Sequence, residues 1–122
     1  MGGQTVVHLA LPLPVSKNRK YRRGSDGRPK LTNAVKTFRQ EVWLAVRQAR
    51  LRKIAGPCRI EVVICPRNAQ KLDPHNYSEQ LYDALERAQL IENDRQFTDT
   101  HVRLGEIVRP DGACFVTITE IH

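Results

Sequence analysis

Apolar residues recur along two stretches of this chain at three- and four-residue steps, and along others at alternate positions. Val35, Phe38, Val42, Ala45, Val46 and Ala49 make one stripe, which predicts a helix beginning at Thr32 or Asn33, either of which can cap it. Tyr77, Leu81, Ala84, Leu85 and Ala88 make a second, on a helix expected over residues 74–88 with Pro74 suited to its first turn. His75, Glu79 and Asp83 step by four along the opposite side of that helix. Trp43 falls beside the first stripe and reads as a core anchor, with base stacking the alternative, and Gly56-Pro57 punctuates the exit from that helix.

Residues 5–11, 58–65 and 113–121 read as strands. The second is rich in β-branched residues between Pro57 and Pro66; the third alternates Cys114, Val116 and Ile118 against Thr117 and Thr119. In residues 5–11 both alternating sets are largely apolar, so neither is assigned to solvent. A further strand is expected within residues 96–108. The run Arg109-Pro110-Asp111-Gly112 signals a turn that would join it to the last strand as an antiparallel hairpin. The order β, loop, α, β, α, β, β predicts an α+β (mixed α/β) fold, a single small sheet of about four strands packed with two main helices. At 122 residues the expectation is one domain, residues 1–122.

Composition narrows the class. The 40% hydrophobic and 27% charged content belongs to a globular chain, not a disordered one. No apolar run approaches the roughly 20 residues of a membrane span, and no signal-peptide pattern opens the chain. No membrane association is therefore expected. The three cysteines (Cys58, Cys65 and Cys114) are scattered and odd in number, which reads as reduced, partly buried thiols in a cytoplasmic protein.

Charge changes the picture more. The net +7 divides into 14 Lys/Arg against 2 Asp/Glu over residues 1–60, and 6 against 11 over residues 61–122. The basic half reads as a phosphate-binding surface, since neutralising phosphates releases counterions. Its densest part is residues 15–31, expected as a hairpin or a mobile loop. Lys17, Asn18, Arg19, Lys20, Arg22, Arg23, Arg28 and Lys30 lie there around Tyr21, and are expected to contact DNA together with Lys71. The same residues also suit a solvated linker.

In the acidic half, Asp73, His75, Glu79 and Asp83 crowd one stretch and Asp94 follows the helix. Hard cations take oxygen ligands, and carboxylates converging from two segments make such a site. Asp73 serves equally as a helix cap, and Asp94 as an ordinary turn aspartate. No GxxxxGK[ST], GxGxxG or HExxH run is present, and the histidines and cysteines lack zinc-ligand spacing.

Several of these residues resemble the RusA family of Holliday junction resolvases: Leu13-Pro14-Val15-Ser16-Lys17-Asn18-Arg19, then Asp73-Pro74-His75-Asn76, then Asp83-Ala84-Leu85, then Asn93-Asp94. The resemblance spans almost the whole chain. It implies a RusA-like fold and a homodimeric, Mg²⁺-dependent (or Mn²⁺-dependent) endodeoxyribonuclease that nicks two opposing strands of a four-way DNA junction, in DNA recombination and repair. It implies a cytoplasmic, nucleoid-associated protein, bacterial or phage-encoded. Asp73 and Asp94 match the family's metal-binding catalytic aspartates. His75 stands where the motif has its second aspartate, and Glu79 where the helix usually carries a catalytic lysine. The expected site is then Asp73, His75, Glu79 and Asp94, with metal on Asp73, His75 and Asp94. Imidazole favours Mn²⁺ over Mg²⁺, and Lys71, Arg67 or Arg95 are the cations expected to replace the lysine. The alternative is a branched-DNA-binding protein of the same fold with weak or lost cleavage. A third reading is a basic module for RNA or an acidic protein.

Overall fold

The computed structural model describes residues 5–121. The first four residues and the last of the expected domain, His122 among them, lie outside the described residues. In chain order the elements are β1 (Val6–Leu11), a 3₁₀ turn (Lys17–Arg19), β2 (Tyr21–Arg23), β3 (Pro29–Leu31), α1 (Asn33–Gln48), β4 (Cys58–Cys65), α2 (His75–Arg87), a second 3₁₀ turn (Asp94–Gln96), β5 (Phe97–Leu104) and β6 (Ala113–Glu120). Two helices on a mixed four-stranded sheet, with a small two-stranded sheet beside them, make the expected α+β fold.

The main sheet runs β1-β6-β4-β5. β6 is antiparallel to both β1 and β4, whereas β5 is parallel to β4. Register sets one face of the sheet: Val7, Ile118 and Ile60 align across three strands, as do Leu9, Val116 and Val62, and Leu11, Cys114 and Ile64. All nine are buried, and Phe38, Val42 and Val46 of α1 and Leu81, Ala84 and Leu85 of α2 join them in one core. Each such Val, Leu or Ile contributes about 1.5–3 kcal/mol by leaving water. The other face carries His8, Phe115, Arg59 and Glu61, all exposed. The ambiguity in β1 is thereby settled: Val6, His8 and Ala10 face outward.

Two expectations fail here. The turn at Pro110-Asp111-Gly112 does not make β5 and β6 a hairpin, because β4 lies between them. The connection is eight residues long (105–112), ample to step over one strand at ~5 Å per strand. Local turn chemistry is real, with Gly112 at φ 78°, but pairing is decided by which strands bury an apolar face. Trp43 is the second: it is 44% exposed, not a core anchor.

Both helices stop in the same way. Leu51 N–H bonds Val46 O after α1, and Leu90 N–H bonds Leu85 O after α2, each over a residue at positive φ (Arg50 and Gln89). Such six-to-one closures satisfy the last carbonyls and seat an apolar residue back on the helix. α1 thus ends well before Gly56-Pro57.

Candidate active site

β4, α2 and β5 form a βαβ unit whose geometry decides which carboxylates can meet. Asp73 follows the C-terminal end of β4 and precedes α2; its Oδ1 accepts the His75 amide at 3.0 Å. Asp73 thus braces the turn into α2, although the N-cap itself is Pro74, and Oδ2 keeps no protein partner among the described residues. α2 then runs 13 residues, a rise of roughly 20 Å. Asp94 lies beyond its far end, in the 3₁₀ turn before β5, and β5 begins opposite Cys58, the first residue of β4. Asp73 and Asp94 therefore sit at opposite ends of the unit. Among the described residues no three of the His, Cys, Asp and Glu side chains converge as a metal site. The structure does not bring Asp73, His75, Glu79 and Asp94 together within one chain.

His75 and Glu79 occupy the exposed side of α2, as their spacing predicts. Glu79 meets Lys20 of the basic segment at 3.6 Å. Asp83 accepts Arg39 Nη2 of α1 and Arg87 Nε, both at 3.0 Å. The Glu79–Asp83 repulsion at four-residue spacing is thus relieved by a cation from each neighbouring element. The cation beside Glu79 is Lys20.

Residues 15–31 contain the short 3₁₀ turn and the hairpin β2–β3, closed through Gly27 at φ 80°. Arg22 faces Lys30 directly across this hairpin, an arrangement that destabilises it unless anions are near. Between the basic segment and the loop after β4 opens a cleft of about 700 Å³, lined by Asn18, Arg19, Arg67, Lys71 and Tyr77 among others. Asp73 follows the lining Lys71 and Leu72 in the chain. Lys17, Arg22, Arg23, Arg28 and Lys30 are exposed on the same segment. Of the residues expected at DNA, the cleft thus gathers Asn18, Arg19 and Lys71, and the rest belong to the segment that forms one of its walls.

At the other end, the turn that carries Asp94 is held by an unforeseen residue, Gln96. Its Oε1 accepts the Glu92 and Asn93 amides, and its Nε2 donates to Ile54 O and Gly56 O. With Asn93 Oδ1 accepting Arg95 N–H at 2.7 Å, this is a capping box. The pattern Asn93-x-x-Gln96 was readable in the sequence. The exposed Asp94 carboxylate also acts on Tyr82, whose hydroxyl is pushed up to about 12 by burial first and by Asp94 and Cys114 second. Tyr82 packs against Phe97 with ring centroids 5.1 Å apart, tying α2 to β5.

Fold and site define a class: an α+β domain with a cationic hairpin and cleft beside a helix tipped at each end by a carboxylate. The chain belongs to the RusA endodeoxyribonuclease family, whose model matches residues 12–119. No curated protein matches it.

Proposed function

We propose that this protein is a homodimeric, divalent-metal-dependent nuclease that resolves four-way DNA junctions by paired nicks. The observation that carries the reading is a cleft lined by Arg19, Arg67 and Lys71 whose wall ends in sequence at Leu72, the residue before Asp73, on a chain of the RusA family. The cleft and hairpin supply phosphate contacts that position a backbone without reading its sequence.

The donor set is right in chemistry and incomplete in one chain. Asp73 and Asp94 offer hard carboxylate oxygens suited to Mg²⁺ or Mn²⁺, but α2 holds them apart. A second copy related by a two-fold axis across α2 sets its own α2 antiparallel, bringing its Asp94 end to the first copy's Asp73 end. Two equivalent sites result, one per nicked strand. A metal bound there would activate water and neutralise phosphate charge. This chain's own residues hold the backbone, fix the Asp73 carboxylate through the His75 amide and fix the turn carrying Asp94 through Gln96.

A second reading is favoured by one contact. Lys20 and Glu79 neutralise each other at the position where a catalytic cation is expected, which suits a junction binder with weak or lost cleavage. Incubating a labelled synthetic four-way junction with Mg²⁺ or Mn²⁺ separates them. Symmetric nicks, lost in Asp94→Asn, support the nuclease; a retarded but uncut junction supports the binder.

A further inference from the structure

Trp43 is the protein's single tryptophan, and its indole is nearly half exposed on α1 beside an equally exposed Leu44. Exposure of so large an apolar ring has to be offset or used. The ring is also held in place. The Arg47 guanidinium lies 4.7 Å from its centroid, and Arg47 Nη1 donates to Ala88 O at 2.9 Å. Ala88 caps the C-terminal end of α2, where the helix dipole favours a cation. Two elements thus fix the guanidinium, and the guanidinium fixes the indole, so little side-chain freedom remains to be lost when something stacks there.

The surroundings specify the ligand's charge. Residues 33–53 hold six cations (Lys36, Arg39, Arg47, Arg50, Arg52 and Lys53) against Glu41 alone. Arg39 and Lys53 are paired with Asp83 and Glu92; Lys36, Arg50 and Arg52 form no ion pair among the described residues. A flat aromatic among unpaired cations matches a strand of nucleic acid, with phosphates on the cations and a base on the ring.

We propose that Trp43 and Arg47, flanked by Arg50 and Arg52, form a stacking site for an unpaired base of DNA, separate from the cationic hairpin. Unpaired is required because bases inside a duplex offer no free face. The site lies at the Asp94 end of α2, through the Arg47–Ala88 contact, whereas Lys20–Glu79 sets the hairpin over the first turns of α2. A four-way junction opened at its crossover supplies both ligands at once, backbone in the cleft and a base freed from its partner on the ring. The inference rests on the DNA-acting reading above.

With one tryptophan, emission reports on this site alone. Titrating the metal-free protein with oligothymidine, with a four-way junction and with blunt duplex of equal length is expected to quench Trp43 with the first two and far less with duplex. Trp43→Leu is expected to weaken oligothymidine binding about fivefold or more, and Trp43→Phe to keep most of it. Unchanged emission while the junction is demonstrably retarded on a gel overturns the stacking site and leaves the nuclease reading intact. Equal quenching by duplex also overturns it, as does emission that follows protein dilution without DNA, which would assign the ring to a contact between copies. Failure of all three DNAs to bind overturns both readings.

Discussion

Replacing Asp83 by Asn tests how α2 is fixed, and therefore how Asp73 is aimed. The Asp83 side chain is 33% exposed and Arg39 only 17%. Their 3.0 Å contact corresponds to about 5 kcal/mol of attraction at an effective dielectric near 20. Desolvation removes much of this, and the exposed edge of Asp83 screens more. A net of about 1.5–3 kcal/mol is expected, the range for a hydrogen bond to a charged group. Arg39 has little slack, because its Nε is already buried without a partner among the described residues. Urea unfolding of Asp83→Asn, Arg39→Met and the double variant forms a cycle in which the two sites should couple by at least 1 kcal/mol. Glu79→Gln serves as the reference, since Glu79 is 60% exposed and 3.6 Å from Lys20; its effect should stay below about 1 kcal/mol. Equal losses for Asp83→Asn and Glu79→Gln, or a coupling near zero, would refute the reasoning.

Two further outcomes concern the frame. Gly112→Ala should destabilise the protein by about 2 kcal/mol or more in the same assay, since φ is 78° and the added Cβ would meet Cys65 O at 2.8 Å. Stability should also fall at high pH. Burial pushes the Tyr82 hydroxyl from 10.0 and the Cys114 thiol from 9.0 up to about 12 each. The folded state then binds more protons than the unfolded state from pH 9 upward, so this contribution is complete below pH 9 and lost as pH rises through about 12. Melting temperatures taken from pH 8 to 11 should decline beyond pH 9, and Cys114 should resist thiol reagents at pH 8 until the protein unfolds.

The helices, β4 and β6 were legible in the sequence because each buries one face and its apolar residues mark that face. The parallel partnership of β4 and β5 was not. β5 is an edge strand, largely exposed, and weak in the alternation that announces a strand. Pairing across the sheet is a long-range choice, while Pro110-Asp111-Gly112 is a local signal. Trp43 was misjudged because spacing places a residue beside a stripe without saying whether the next element reaches it. For the site, the exposed positions of His75 and Glu79 were legible, and the convergence of the four residues within one chain was overestimated. A helix from His75 to Arg87 already implies a separation of roughly 20 Å between its ends. Lys20 beside Glu79 was out of reach, since a hairpin had to fold back across α2 to make that contact.

The central claim is that Asp73 and Asp94 act together only across two copies of the chain. Co-expressing Asp73→Asn with Asp94→Asn tests it most directly, because a mixed dimer carries one site with both aspartates and one with neither. Each variant alone should leave a four-way junction uncut. The co-expressed pair should recover nicking at about a quarter of the wild-type rate, on one strand per junction, from half the dimers carrying one of two sites. No recovery from a pair shown to form mixed dimers would contradict the account.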